Sequence, residues 1–364
     1  MTGYIVFLIS LSLLSNEPFD INSATEGQLR SIPGIGPVKA SAIVEYRELF
    51  GPFLELEELE YVSGIGSGTV ELLSEHVFVA PSADSGLSRD HWMDTADSVA
   101  CLLQVAYLDV GQGDAILLQA FGGGTMLFDG GPDPGGPLEP AVVLRLREFG
   151  IDTLDILAFS HPHSDHIGGM AAVLRNFTVL EVMDPGMEFS SWVYEEFLRA
   201  VLDEGCSYVL LEEGMIIDLS PSVEVEVISS GGDAADLNMN ESSAVLRVNC
   251  GDFSTLLTGD MEEDSERELT PSAEPVTVLK VPHHGSLTSI FPPYLRRLSP
   301  QVAVFSAGRG NPFGHPHPGV VEIYREMDCR ILRTDTQGTI VVQTDGEAFS
   351  VSTNISEYRS GDDN

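Results

Sequence analysis

Four potential metal ligands lie within six residues of this 364-residue chain, in the segment 160–169 (Ser-His-Pro-His-Ser-Asp-His-Ile-Gly-Gly). A strand that ends in a short loop before a helix can direct all four side chains into one pocket. Imidazoles with a carboxylate suit zinc, manganese or iron. Because three of the nine histidines lie here, we favour a metal site over a polar loop that happens to be histidine-rich. The four residues are His161, His163, Asp165 and His166.

This His-x-His-x-Asp-His pattern resembles the signature of the metallo-β-lactamase superfamily, and three further motifs complete that family's order. One apolar run ends in Asp129 and two glycines, a later run ends in Asp260, and a His-His-Gly segment contains His284. The resemblance implies an α/β fold, the αββα metallo-β-lactamase-like sandwich, for the C-terminal part of the chain.

The resemblance also implies a role for each matching residue and a cofactor of one or two zinc or manganese ions. A bridged pair of ions lowers the pKa of bound water, supplies hydroxide near neutral pH and holds phosphoryl oxygens. Asp165 would orient that hydroxide, and Asp129 would support the histidines. The implied ligands are His161 and His163 for the first ion, Asp165, His166 and His284 for the second, and Asp260 between the two.

One ligand of the family's pattern is missing. The third histidine normally lies between the first cluster and the bridging aspartate, yet the sequence has none from Ile167 to Met261. An Asn/Ser-rich segment, 238–243, occupies that place, and Asn240 could supply an amide oxygen, which favours manganese over zinc. The alternative is a weak first site, with only one ion tightly held.

A narrower resemblance rests on the segments 105–115, 279–286 and 311–317. Together they look like the soluble hydrolase domain of the ComEC competence proteins. In that family the domain is attached to a membrane channel and is thought to degrade one strand of incoming DNA. The resemblance implies the hydrolase and says nothing for transport.

Three histidines outside the ligand set could handle substrate. His283, which adjoins the ligand His284, and His315 are the predicted catalytic partners of Asp165. Either could donate a proton to the leaving oxygen or contact phosphate. His317 could do likewise, although prolines around a histidine often mean only a rigid loop.

The segment 19–80 resembles the helix-hairpin-helix pair of the ComEA DNA receptors. Two Gly-Ile-Gly segments, 34–36 and 64–66, lie thirty residues apart in the expected frame. Glycines let backbone amides approach a phosphate closely, and the next helix directs its N-terminus at the anion. Such contacts hold DNA without reading its bases. The alternative is a small helical protein-interaction module. The predicted DNA-binding residues are Gly34, Gly36, Lys39, Gly64 and Gly66.

The charge of the chain opposes easy DNA binding. The chain has 18 basic and 56 acidic residues, a net charge of −38, and its only lysines are Lys39 and Lys280. Most DNA-binding proteins gain affinity from cationic contacts to phosphate that release counterions. An acidic, lysine-poor composition instead indicates a protein that works in high salt, where long-range repulsion is screened.

Composition predicts two folded domains joined by a linker. The apolar run 4–14 is too short for a membrane span, which needs about 20 residues, and we predict no membrane-spanning segment. The run fits a signal-peptide core, although no Lys or Arg precedes it. We therefore predict an extracellular or cell-envelope location, with a cytoplasmic protein as the alternative. The predicted segments are a leader (1–18), the helix-hairpin-helix domain (19–80), a linker (81–100), the hydrolase domain (101–354) and a tail (355–364).

Alternating β-rich runs and helical stretches in the hydrolase domain predict layered sheets flanked by helices. We assign the runs to two sheets by their order along the chain. The first sheet should contain 105–109, 115–118, 126–128 and 223–228, and the second 244–248, 254–257, 276–281, 302–305 and 340–342.

Three functions are compatible with these motifs. The leading one is a metal-dependent phosphodiesterase, a DNA nuclease that captures DNA with its hairpins. The second keeps the fold but acts on a smaller phosphodiester or other ester. The third is a non-enzymatic DNA-binding protein with a degenerate metal site, which the retention of all ligands except the third histidine disfavours. A fold alone does not determine the substrate.

We expect thermal stability to increase from low salt towards molar salt. At low salt the carboxylates of a chain with a net charge of −38 repel one another. At 1 M salt the screening length falls to about 3 Å and this repulsion is largely removed. Thermal unfolding measured across the salt series provides the test, and a midpoint that is flat or falls with salt would contradict adaptation to high salt.

Overall fold

The structure is a computed structural model that describes residues 18–53, 55–80, 101–136, 138–187, 189–231 and 238–353. The chain divides into two compact units, Met1–Ser88 and Arg89–Asn364. Nearly all of the predicted leader and the whole of the predicted linker and tail lie outside the described residues, so the domain boundaries remain predictions. Among the helices in the described ranges, none is long and apolar enough to cross a membrane.

The N-terminal unit is helical, and a short parallel strand pair joins its two ends. Its first helix begins at a capping box, in which Thr25 and Gln28 satisfy each other's backbone amides. In chain order the elements are β1 (Phe19–Asp20), α1 (Glu26–Leu29), α2 (Pro37–Phe50), a 3₁₀ helix (Leu56–Tyr61), α3 (Ser67–Ser74) and β2 (Val77–Phe78).

The two hairpins of this unit repeat each other at a spacing of thirty residues. Gly34 and Gly64 adopt φ of +87° and +81°, which favours glycine, and each lies in the turn before a helix. Lys39 of the first repeat donates a hydrogen bond to Thr69 of the second, at 3.0 Å between Nζ and Oγ1. Equivalent apolar residues of both repeats are buried: Leu29, Ile32 and Ile35, and Leu59, Val62 and Ile65.

The C-terminal unit contains two sheets. The eight-stranded sheet has the order β17-β16-β3-β4-β5-β6-β7-β8, and β5 to β8 run parallel. Its strands are β3 (Leu103–Tyr107), β4 (Ile116–Ala120), β5 (Thr125–Phe128), β6 (Thr153–Ala158), β7 (Thr178–Asp184), β8 (Ser207–Leu210), β16 (Ile340–Thr344) and β17 (Phe349–Thr353).

The seven-stranded sheet has the order β15-β14-β13-β12-β11-β10-β9, and β12 to β15 run parallel. Its strands are β9 (Ile216–Ser220), β10 (Val223–Ser229), β11 (Val245–Cys250), β12 (Phe253–Leu257), β13 (Val278–Lys280), β14 (Val302–Phe305) and β15 (Arg330–Arg333). The helices of this unit are α4 (Ala141–Glu148), α5 (Ser164–Ile167), α6 (Met170–Asn176), α7 (Trp192–Glu204), α8 (Glu263–Leu269), α9 (Pro292–Leu298), α10 (Pro318–Glu326) and α11 (Thr334–Gln337).

Side chains that alternate along β3 contribute to two hydrophobic cores, one between the sheets and one beneath the helices. Val105 and Tyr107 pack with residues of the other sheet, whereas Ala106 packs with the helical layer that includes α4, α6 and α7. Successive side chains of a strand point to opposite faces, so a strand buried on both faces reads as a continuous apolar run. The αββα fold class predicted from the sequence is confirmed.

Two strand assignments were wrong. The run 223–228 belongs to the seven-stranded sheet, where β10 pairs with β11, and not to the first sheet. The run 340–342 belongs to the eight-stranded sheet, where β16 pairs with β3, and not to the second. Periodicity identifies a strand but not its partner, and β16, near the C-terminal end of the domain, returns to pair with β3, its first strand.

A buried hydrogen bond joins the two sheets and allows a stability test. Tyr107 Oη in β3 lies 2.7 Å from Thr255 Oγ1 in β12, and both residues are fully buried. We expect Tyr107→Phe to lower the free energy of unfolding by about 1–3 kcal/mol, because Thr255 then has no partner. Chemical denaturation of the full chain measures the change.

The double variant Tyr107→Phe/Thr255→Val is the matched control for this prediction. Replacing both partners by apolar groups of similar shape can be nearly neutral, so the double variant should regain part of the loss. A double variant that loses the sum of the two single losses would contradict the account.

Candidate metal centre

The carboxyl ends of parallel strands from both sheets carry the predicted ligands. Asp129 follows β5 and the loop with His161 follows β6 in one sheet, while Asp260 follows β12 and His284 follows β13 in the other. Ligand sites of open α/β sheets typically lie beyond the carboxyl ends of the strands. The sandwich therefore brings together side chains that are far apart in the sequence.

Asp260 lies between two histidines. Its Oδ1 is 3.2 Å from His166 Nε2, and its Oδ2 is 3.4 Å from His284 Nε2. His284 Nε2 is also 3.4 Å from Asp165 Oδ2. Each of these four residues offers one ligand atom, and the four atoms lie within 4.8 Å of one another. The structure thus contains the predicted juxtaposition of Asp165, His166, Asp260 and His284, and their role as ligands remains a prediction.

The residues of this cluster fit a divalent ion. Three buried atoms, His166 Nε2, Asp260 Oδ1 and His284 Nε2, lie within ion-pair distance of one another's residues but form no hydrogen bond in the part of the chain that the structure describes. Leaving a buried polar atom without a partner is costly. Imidazole nitrogens and carboxylate oxygens are also the ligand types that bind zinc and manganese.

The electrostatics of the cluster favour a cation. Burial lowers the pKa of His166, but Asp260 and Asp129 outweigh burial and hold that pKa well above its usual value. Burial raises the pKa of Asp260, yet His166 and His284 hold it well below its usual range. The carboxylates are therefore charged, and a metal ion that binds here would displace protons from the imidazoles.

Hydrogen bonds from the outer side fix both imidazole rings. His166 Nδ1 donates to Asp129 Oδ2 at 2.9 Å, and His284 Nδ1 donates to the carbonyl oxygen of Ser306 at 2.9 Å. Both rings thereby direct Nε2 into the cluster. Asp129 also accepts from the backbone amide of Ser160 at 2.7 Å, and its φ of +63° is strained for a non-glycine residue. These contacts agree with the supporting role predicted for Asp129.

Sequence reasoning assigned no role to Asp114, which forms a buried ion pair with Lys280. Both residues are fully buried, and Lys280 Nζ also donates to the carbonyl oxygen of Gly259 at 2.9 Å. Lys280 is therefore a structural ion-pair partner. The glycine before Asp114 was the available signal: a Cβ on Gly113 would lie 2.1 Å from the carbonyl oxygen of Asp165. That loop must pack directly on the ligand loop.

His161 and His163 form a pair beside the cluster. His161 Nε2 is 2.9 Å from His163 Nδ1, and the rings of His161 and His166 are 4.2 Å apart. Burial, and then His166, hold the pKa of His161 well below its usual value, so its ring is neutral, as a ligand requires. Asn240 Oδ1 is buried without a hydrogen-bond partner among the described residues. Its role in place of the third histidine remains a prediction.

The three predicted substrate-handling histidines separate into two groups. His283 and His315 lie near the cluster, with His315 ring centroids 5.6 Å from His283 and 6.3 Å from His284. Burial, and then His284 and His283, lower the pKa of His315 to about 4, so its ring is neutral near pH 7. His317 instead caps α10, where its Nδ1 accepts from the backbone amide of Gly319 at 3.1 Å.

Glu262 is a further residue that the sequence did not indicate. Its Oε1 lies 3.0 Å from His283 Nδ1, which leaves His283 Nε2 3.7 Å from Asp260 Oδ2. Glu262 also accepts hydrogen bonds from Asn240 and Thr288. The carboxylate therefore fixes the orientation of His283 at the rim of the cluster.

The predicted DNA-binding glycines are exposed at the starts of helices. Gly36 and Gly66 are the N-terminal caps of α2 and α3. A Cβ on Gly36, Gly64 or Gly66 would meet nothing within 4 Å, whereas on Gly34 it would lie 2.9 Å from Leu72. Three of the four glycines are thus open to an approaching group, and DNA contact by any of them remains a prediction.

Models of known protein families match both units of the chain. The family model described as the metallo-beta-lactamase superfamily matches residues 108–309, more than half of the chain. This chain belongs to the metallo-β-lactamase superfamily. The superfamily fold supports a metal-dependent hydrolase and implies divalent ions. A second model, described as a helix-hairpin-helix motif, matches residues 15–78 and confirms the other predicted resemblance.

Curated relatives of this superfamily member include three bacterial proteins. The chain is 32% identical to ComE operon protein 3 of Bacillus subtilis (strain 168) over 255 residues, 65% of this chain and 32% of that protein. It is 31% identical to Recombination protein 2 of Haemophilus influenzae over 66% of this chain and 28% of that protein. It is 29% identical to Competence protein ComA of Neisseria gonorrhoeae over 65% of this chain and 31% of that protein. The chain spans about a third of the length of these relatives, and the predicted resemblance to competence proteins is confirmed.

The support of His166 by Asp129 gives a test of the metal centre in this metallo-β-lactamase superfamily member. Asp129→Asn should weaken manganese binding by about 10- to 100-fold, because the carboxylate that orients the ring and raises its basicity is lost. Isothermal titration calorimetry with Mn²⁺ measures the affinity. The control is Asp133→Asn in the same loop, where the carboxylate is exposed and, among the described residues, accepts from the backbone amide of Gly135. Equal manganese affinities of the unmutated chain, Asp129→Asn and Asp133→Asn would contradict the assignment.

Proposed function

We propose that this chain is a metal-dependent phosphodiesterase, a DNA nuclease that holds DNA with its hairpins and cuts it at the metal centre. One observation carries the proposal: a single chain combines the four-residue cluster, of which three members are buried, with a repeated helix-hairpin-helix unit. The cluster provides a site for hydrolysis, and the hairpins provide a reason for the substrate to be a nucleic acid.

The chemistry requires activated water and a stabilised phosphoryl group. Divalent ions, when bound, supply both. Around them, Asp165 lies at the more open side of the cluster, one third exposed, where it can orient a water molecule for attack. His283 is one fifth exposed and its Nδ1 is held by Glu262, so in the imidazolium form it can give its Nε2 proton to the leaving oxygen. His315 lies close enough to contact the phosphate.

The hairpins suit a backbone-directed contact. Exposed glycines at the N-termini of α2 and α3 leave backbone amides free to approach phosphate oxygens, and the helix dipoles favour an anion there. Lys39 adds one cation beside the first hairpin. Such contacts carry no base specificity, and we propose binding without sequence preference.

The competence-type relatives support a place in DNA uptake or at the cell envelope. The chain spans only about a third of those proteins, so their whole activity is not transferred. Zinc and manganese are both proposed as the ion, and manganese is favoured if Asn240 is a ligand.

Two variants separate cutting from holding. Asp260→Ala removes the central carboxylate and should abolish manganese- or zinc-dependent cleavage of both DNA and a small phosphodiester such as bis(p-nitrophenyl) phosphate. Gly36→Val places a branched side chain where the backbone meets phosphate, and should weaken DNA binding about tenfold or more for each charge-assisted bond lost. Gly36→Val should still hydrolyse the small phosphodiester. Fluorescence anisotropy and cleavage assays in low and high salt give both readouts.

Matched controls are Asp252→Ala in the exposed β11–β12 turn and Gly27→Val on the exposed face of α1. Cleavage retained by Asp260→Ala would disprove the proposed metal mechanism. Equal DNA binding by Gly36→Val would favour the protein-interaction module. Hydrolysis of the small phosphodiester by a wild-type protein that does not cut DNA would favour the small-ester hydrolase.

A further inference from the structure

A pocket of about 350 Å³ lies beside His163, one of the predicted metal ligands. This volume lies at the small end of ligand sites. Phe189 connects the pocket to His163, because their ring centroids are 6.2 Å apart. The pocket is lined mainly by aromatic and apolar side chains around one carboxylate: Asp184, Met187, Phe189, Tyr194, Tyr208 and Leu210.

The two tyrosines of the pocket are held in place by their hydroxyls. Tyr194 Oη donates to Asp184 Oδ2 at 2.8 Å, and Tyr208 Oη donates to the same oxygen. Burial, and then Asp184, raise the pKa of both hydroxyls, so they remain donors. The Tyr194 ring also packs at an angle on Phe159 of the core, at 6.4 Å between centroids. The aromatic wall is therefore fixed before any ligand binds.

The lining selects against an anion and for a flat neutral group. Asp184 is buried, and none of the residues described as lining the pocket is basic. A phosphate would meet a carboxylate without a cation, which is unfavourable. Aromatic side chains instead offer surfaces on which a base of any identity can stack. Tyr208 and Leu210 are 42% and 53% exposed, so the pocket is open to a ligand from solvent.

We infer that this pocket binds an unpaired nucleobase of single-stranded nucleic acid, beside the phosphodiester at the metal centre. The inference rests on the proposed function and adds its substrate class. A base within a duplex is paired and stacked, and reaches such a pocket only if it is flipped out, which costs free energy. The pocket therefore selects single strands.

Base stacking also suits the charge of this chain. Phosphate contacts lose affinity as salt rises, because counterion release is then worth less. Stacking involves a neutral part of the substrate, and the net charge of −38 does not oppose it. A nuclease of this composition can therefore hold its substrate by bases where it has few cations to hold phosphates.

The test is the fluorescence of single-stranded DNA that carries 2-aminopurine, which is quenched when the base stacks. The full chain with Asp260→Ala is used, so that the DNA is not cut during titration. Phe189→Leu should lose the quenching and bind the oligonucleotide about fivefold to 150-fold more weakly, the effect of one lost base stack. Phe189→Trp, which keeps an aromatic surface, should retain the quenching.

Phe121→Leu is the matched control, since Phe121 is also partly exposed but lies after β4, at the opposite ends of the strands from the metal centre. The Phe121→Leu variant should quench 2-aminopurine fluorescence as strongly as the chain that carries Asp260→Ala alone. Tyr208→Leu provides a second variant in case Phe189→Leu does not fold. Quenching and affinity unchanged in both pocket variants would overturn the base site.

The base site and the nuclease proposal can fail separately. Quenching that depends on Phe189, in a chain whose unmutated form cuts no DNA, would support the base site and refute the nuclease. DNA cleavage by the unmutated chain, together with quenching that is unchanged by Phe189→Leu and Tyr208→Leu, would support the nuclease and overturn the base site.

Discussion

Three carboxylates, those of Asp114, Asp129 and Asp260, are buried at the junction of the two sheets, and the site depends on how their charge is balanced. A buried charge is tolerated only when it is paired and hydrogen-bonded. Lys280 balances one of them through its ion pair with Asp114. The other two face His166, which must carry a proton or share a metal ion with Asp260. The demand for a cation is therefore built into the fold.

The sequence predicted the parts of this site that lie in local motifs. Each of these parts follows an apolar run of the sequence. They are the loop from His161 to His166, the aspartates that follow β5 and β12, and His284 after β13. A parallel sheet brings such positions to one edge, so their convergence could be expected from the fold. The order of the motifs along the chain was sufficient to predict that these residues lie close together.

Pairing and packing over long sequence distances could not be predicted in this way. The run 340–342 has the periodicity of any strand, and only closure of the domain decides that it pairs with β3. Glu262 lies in an acidic stretch that resembles any solvated turn, yet it holds His283. The pocket around Asp184 combines β7, β8 and α7, and no single segment of sequence carries its signature.

An acidic chain can bind nucleic acid if most of its contacts do not require cationic side chains. Exposed backbone amides of the hairpins and aromatic surfaces near His163 need few cations, and only the metal centre must compensate phosphate charge directly. Under the proposed function, this division reconciles a chain that has only two lysines with a repeated helix-hairpin-helix unit.

The most direct test of this account is a crystal structure of the manganese-loaded protein with anomalous diffraction data collected near the manganese edge. The account predicts an anomalous peak within bonding distance of Asp165, His166, Asp260 and His284, with any second peak beside His161 and His163. A peak elsewhere, or none at saturating manganese, would contradict it.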